Sequence, residues 1–382
     1  MPALAPHIAS VPASGIRRIH ELASDLTGVI MLAVGEPDVA VAPHIAAAAK
    51  AAWDADETNY APNGGIRALR SALVRSLAER NGLTVELEQV WVTVGATQAL
   101  HQAMGLVLDA GDAVLVPDPG YTTFTMNARM LQADPVAYRL RVENGFLPDF
   151  DELERLVTPS TRAIIVNSPS NPLGVVFPEG VLREMLAFAR RHDLWVISDE
   201  VYERFVYGTE HVSVASLDED DRVLSVFSLS KTYAMTGVRV GYLVTPPGLT
   251  DVMRRVQEAA ISCVSTPAQY AAIAAIEGPQ DAVAAASAHY RGNVEAAGAV
   301  LDERGFRYLV PSGAFYLWVD VSHASGGDVA AWAERFLLDQ HVAVAPGSAF
   351  GRTGEGWIRL CAAANRQQLL EGITRLPAPA RE

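Results

Sequence analysis

Between residues 90 and 245 short apolar runs alternate with longer helical patterns, and that alternation leaves few folds open. The runs are Val90–Val94, Ala113–Val116, Ala163–Val166, Leu194–Ile197 and Val223–Phe227. They are apolar almost throughout instead of every second residue, which is the pattern of strands buried on both faces. Segments of helical periodicity such as Val181–His192 lie between them. Strand, helix, strand in repetition predicts an α/β fold with a mostly parallel sheet flanked by helices. With 382 residues and 50% hydrophobic content the chain can bury a large core, and its length suits two or three domains. In such sheets ligands gather at the C-terminal ends of the strands. Asp199 and the small-residue turn Gly95-Ala96-Thr97 both sit at strand ends.

Outside that region the pattern is less regular. A Pro/Ala-rich arm leads into a short helix over Ile16–Ser24, and Val29–Val34 reads as a strand. Ala42–Asp54 is an alanine-rich helix, and a helix with a Leu69, Leu73, Leu77 stripe follows the Pro/Gly-rich loop at 59–65. Residues 251–300 read as a long alanine-rich helical stretch. Further strands are expected at Gly313–Val319, His341–Gly347 and Trp357–Leu360, before a final helix.

A formal charge of −14 argues against nucleic acid as a partner, since phosphate backbones call for a basic surface. Cys263 and Cys361 are far apart, without metal-ligand spacing, and are expected to be small buried residues in a reducing cytoplasm. The N-terminus lacks the basic and apolar regions of a signal peptide, and no run is long enough for a membrane span. No metal, membrane or nucleic-acid partner is expected; small molecules are.

The chain has 30 basic residues, of which only Lys50 and Lys231 are lysine. Guanidinium does not deprotonate in a protein, whereas an ammonium can be tuned to do so, so a lysine kept among arginines marks amine chemistry. Lys50 falls on the solvated face of its helix. Lys231 sits in Ser228-Leu229-Ser230-Lys231, just after a strand, and Arg239 follows eight residues later in Gly237-Val238-Arg239-Val240-Gly241-Tyr242. The valines on either side of Arg239 suggest a strand that turns the arginine toward a site.

This Ser-x-Ser-Lys and Gly-x-Arg-x-Gly-Tyr pair resembles the cofactor-lysine segment of the class I/II aminotransferases, fold-type I enzymes that use pyridoxal 5'-phosphate (PLP). Asn59–Arg70, Asn171-Pro172-Leu173-Gly174 and Ile358-Arg359-Leu360 resemble other motifs of that family, with Leu173 where threonine is usual. The resemblance extends over nearly the whole chain. It implies a large PLP-binding domain over 41–285, and a smaller α+β domain built from both chain ends, 1–40 and 286–382. It implies a Schiff base at Lys231, Asp199 on the ring nitrogen, and Asn171 and Tyr202 on the ring oxygen. Tyr121 would stack on the ring. Gly95, Ala96, Thr97, Ser228, Ser230, Arg239 and Tyr60 from the other subunit of a homodimer would hold the phosphate, and Gly35, Asn171 and Arg359 the substrate carboxylate.

Each residue also has a plainer local account. Gly35 and Asn171 suit turns, Tyr60 and Tyr121 suit packing, Asp199 suits a helix cap, and Arg359 suits a surface strand. The activity implied is ping-pong transfer of an amino group from an L-amino acid to a 2-oxo acid, with 2-oxoglutarate the commonest acceptor. A lyase or cyclase on the same scaffold is the alternative. The family's PLP-sensing regulators carry an added N-terminal DNA-binding domain, for which the 34 residues before Gly35 leave no room. Ile16, Tyr121 and Phe315 are expected to give the substrate pocket an apolar or aromatic character.

Overall fold

The computed structural model of the protein describes residues 2–380. Its centre is a seven-stranded sheet in the order Val90–Thr93, Gly241–Val244, Val223–Ser228, Trp195–Asp199, Thr161–Asn167, Ala113–Asp118, Asp134–Arg139. Every neighbouring pair is parallel except those made by Gly241–Val244, which runs antiparallel to both its neighbours. The apolar runs become strands because helices cover both faces. The helix Gly95–Val107 packs one side with Leu100, Ala103 and Met104, and Glu179–Arg191 packs the other with Leu182, Met185 and Phe188. The expected α/β class is therefore what the chain adopts.

A four-stranded antiparallel sheet is built from the C-terminal region, in the order Ala345–Pro346, Trp357–Cys361, Tyr316–Asp320, Tyr308–Leu309. A two-stranded parallel ladder joins Ile30–Met31 to Val342–Ala343, so the start of the chain is pinned to its end. One hydrophobic cluster runs from Leu32 and Val344 through Trp318 to Ile164 and Val196 of the large sheet.

Three local expectations change. The strand expected over Val29–Val34 is only Ile30–Met31, because the ladder ends at Ala343 and Leu32 then accepts from Cys361 of another strand before the chain reaches Gly35. The stretch 251–300 is three helices, Thr250–Ala260, Thr266–Glu277 and Asp281–Glu303, broken where Ser262 adopts a positive φ and where Gly278 follows the second helix. Arg239 is not in a strand. It has φ +62° in a tight turn, and the strand begins only at Gly241. Among the described residues no helix is long and apolar enough to cross a membrane.

Candidate active site

One cavity of about 570 Å³ opens at the C-terminal ends of the central strands. It draws residues from 14 to 359 and includes Gly35, Ala96, Thr97, Tyr121, Asn171, Asp199, Tyr202, Ser228, Ser230, Lys231, Arg239 and Arg359. Gly95 backs its wall. Tyr60 alone among the expected site residues is elsewhere: it lies on the surface of the chain, 92% exposed.

Lys231 follows the strand Val223–Ser228 and donates from Nζ to the Gly35 carbonyl at 2.6 Å. Burial lowers its pKa to about 8, against weaker opposing pulls from Cys361 and Glu36. The amine is therefore partly neutral at moderate pH, which an exposed lysine would not be. Lys50 shows the contrast, exposed and paired with Asp54 along one helix face.

Asp199 ends the strand Trp195–Asp199 and is buried; among the described residues its carboxyl accepts only the Val201 N–H, at 3.2 Å. Burial raises its pKa to about 7, with the Glu200 charge adding to the rise. Among the described residues no basic side chain pairs with it. It does not cap a helix.

Arg359 comes from the middle of Trp357–Cys361, opposite Trp318 in the ladder, and is 2% exposed. Its Nη1 donates to the Asn171 side-chain oxygen at 2.8 Å and its Nη2 to the Ala33 carbonyl, while Nε has no partner. The Tyr316 and Phe350 rings flank it at 4.3 and 4.8 Å. No carboxylate among the described residues pairs with this charge. A guanidinium buried without a counter-charge is costly, and its fork matches a carboxylate.

The fourth feature is a cradle. The helix Gly95–Val107 begins without a side-chain cap, so the N–H groups of its first turn remain at the cavity edge. Gly95 has φ +73°, and a Cβ there would stand 2.6 Å from the Arg239 guanidinium, so only glycine lets the arginine approach. Arg239 donates to the Thr236 carbonyl at 2.8 Å and has no acidic partner among the described residues. Ser228 and Ser230 line the same side.

Tyr316 lines the cavity, and Phe315, expected in the pocket, does not. The Tyr316 hydroxyl meets that of Tyr202 at 2.6 Å inside the cavity, while Phe315 packs behind, on Tyr202, Phe205 and Tyr290. Successive strand residues face opposite ways, so a slip of one position exchanges wall for core. Asn167, whose side chain accepts the Asn171 N–H at 2.9 Å, also lines the cavity. Arg17 and His20, on the helix Gly15–Ser24, line its outer side; no sequence motif pointed to them.

A mostly parallel sheet, a cavity at its strand ends, a half-buried amine, an acid and a guanidinium without ion partners among the described residues define an enzyme that handles charged small molecules. The comparisons are specific. The family model for aminotransferase class I and II matches residues 27–376, and the chain belongs to that family. It is 36% identical to aromatic-amino-acid aminotransferase 2 of Thermococcus litoralis over 98% of this chain and 97% of that one. It is likewise 36% identical to aspartate aminotransferase of Pyrococcus abyssi, over 100% and 99%. Among solved structures, aspartate aminotransferase from Thermus thermophilus with maleate superposes with a TM-score of 0.93 at 34% identity, covering 98% of this chain and 99% of that one. The protein is an aminotransferase.

Proposed function

We propose that the protein moves the amino group of an L-amino acid to a 2-oxo acid, with 2-oxoglutarate as acceptor, in a ping-pong reaction that uses PLP held covalently at Lys231. The observation that carries this reading is the meeting in one cavity of three ionisable groups that have no ion-pair partner among the described residues: the lowered amine of Lys231, the acid of Asp199 and the guanidinium of Arg359.

The residues fit the cofactor. Asp199 lacks a cation, which a protonated ring nitrogen would provide, and the cradle of Gly95, Ala96, Thr97, Ser228, Ser230 and Arg239 offers donors and positive charge to a phosphate. Tyr202 and Asn171 would hold the ring oxygen and Tyr121 the ring face. Bound PLP supplies the carbonyl that accepts the amino group and the ring that takes up the electrons of the broken Cα–H bond.

The chain does the rest. Arg359, helped by Asn171 and the Gly35 backbone, grips the substrate α-carboxylate and sets the orientation of Cα. Lys231 Nζ, neutral above about pH 8, would carry the proton from Cα of the donor to the cofactor carbon that takes the amino group in one half-reaction, and from that carbon to Cα of the new amino acid in the other. Tyr121, Tyr202 and Tyr316 wall the cavity and reduce its water. The bare aromatic surface of Tyr60 supports a homodimer in which Tyr60 of the partner subunit completes the phosphate site. We further assign residues 41–285 to a large PLP-binding domain and 1–40 with 286–382 to the smaller one. The two unpaired cysteines support a cytoplasmic location.

The test is the visible spectrum of purified protein given PLP. A band that borohydride abolishes, with the label left on the Lys231 peptide, is expected, followed by 2-oxoglutarate-dependent conversion of amino acids to keto acids. Pyruvate or ammonia released without an acceptor would replace the transfer reading with a lyase. Absence of the band would remove the cofactor reading.

A further inference from the structure

Behind Asp199, outside the cavity, lies a buried polar cluster that the reaction above does not use. Glu200, 1% exposed, accepts the Ser198 hydroxyl at 2.8 Å, the Ser213 hydroxyl at 3.0 Å and lies 2.9 Å from His211 Nε2. The His211 side chain is 8% exposed, and its Nδ1 has no partner. Glu200 is also held by its backbone, which donates to Val226 and accepts from Glu203, so the turn that carries Asp199 and Tyr202 is tied down at this residue. The groups facing His211 and Glu200 come from several elements. Glu203 and Arg204 lie on the same turn, and Asn81, at the end of the helix Arg67–Asn81, donates to Glu203. Tyr242 faces the carboxylates from the central sheet, with Arg80 beyond it.

We propose that the Glu200–His211 pair is a positioning element for Asp199, anchoring the strand end from behind and offsetting part of the charge of the neighbouring carboxylate, so that Asp199 answers mainly to a cation in the cavity. The charge of Glu200 pushes the Asp199 pKa up. Burial alone would lower the His211 pKa, yet Glu200 and Glu203 raise it overall, so the imidazole tends to carry the compensating charge. The pairing itself stands on this chain alone; only the identity of the cavity cation rests on the proposed cofactor.

The decisive measurement needs no cofactor. Stability against urea is followed across neutral pH for the cofactor-free parent, His211→Gln, Glu200→Gln and the double variant, each with and without Asp199→Asn. The difference within each pair isolates the titration of Asp199. His211→Gln keeps a donor to Glu200 but removes the charge, so Asp199 is expected to titrate about one pH unit higher than in the parent. The double variant is expected to return it to the parent value. Glu200→Gln, which removes the negative charge beside Asp199, is expected to lower it and reads the same coupling should His211→Gln not fold. In the PLP-loaded enzyme His211→Gln is expected to lower kcat roughly tenfold with KM for the amino donor nearly unchanged. Equal Asp199 titration in all backgrounds, with stability lost uniformly over pH, would reduce the pair to a structural brace and overturn the proposal. Failure of the parent to bind PLP would sink the cofactor reading and leave this titration intact.

Discussion

Asp199 and Glu200 are consecutive, both buried, and placed on opposite sides of one strand end. On the reverse side Glu200 has two hydroxyls and an imidazole. On the cavity side Asp199 has one backbone N–H and no cation, and its carboxyl holds a proton up to about pH 7. The same residue chemistry is thus closed off on one face and left open on the other. Folding normally pairs what it buries. The cavity departs from that rule at Asp199 and at Arg359, the half-buried Arg239 beside them also lacks a counter-charge among the described residues, and the open charges have opposite signs. The contrast teaches where ligand binding must complete the structure: a cation is missing beside the acid, and anions are missing beside the arginines.

The largest break in this contrast is expected from Lys231→Ala, which removes the amine from the cavity. Transfer activity should fall by roughly a thousandfold or more, and the PLP-loaded protein should lose the borohydride-sensitive band.

Asp199→Asn sharpens the contrast by acting on function and stability in opposite directions. Activity is expected to drop about a hundredfold or more, since the site loses the buried carboxylate that answers a cation. The cofactor-free protein should become more stable. A carboxyl whose pKa rises from 3.8 unfolded to about 7 folded costs nothing below the lower value. Its cost grows as pH climbs through that window and levels off above it. The gain for Asp199→Asn should therefore be near zero at acid pH and reach at most about 4 kcal/mol above pH 7, read from urea midpoints.

A smaller effect is expected at the guanidinium. Arg359→Lys keeps the charge and loses the fork, so KM for amino donors should rise about tenfold to a hundredfold in steady-state assays. Cofactor uptake gives a pH test. Only the neutral amine reacts, so the rate of covalent PLP binding should rise about tenfold per pH unit below pH 8 and flatten above it. A rate that keeps climbing toward the usual lysine range would contradict the lowered amine. The smallest effect is expected outside the cavity: Lys50→Ala should change stability by about 0.5 kcal/mol or less and leave the spectrum untouched.

Much of the site was legible because its chemistry is local. Lys231 stands out in a chain nearly free of lysine, and Asp199 stands at the end of an apolar strand. Gly95-Ala96-Thr97 stands where a strand enters a helix. Errors arose where one position decides orientation. Phe315 and Tyr316 differ only in which way the chain faces, and Arg239 reaches the cradle from a left-handed turn that flanking valines disguised as a strand. Tyr60 is a different case. Its motif was readable, but within one chain it meets only solvent, so its role stays with the proposed dimer.

The sequence by itself determined the layered α/β architecture, since strands buried on both faces and helices with one apolar stripe have few other ways to hide their surfaces. It also determined which residue types could do amine chemistry. The tertiary structure alone decided which charges were answered. Glu200 finds His211 eleven residues away around a turn, Lys231 finds the Gly35 carbonyl, and Arg359 finds Asn171 and Ala33 but no carboxylate. Such pairings depend on distance and burial between segments far apart in the chain. Periodicity and motif spacing carry neither quantity, and only the folded packing supplies both.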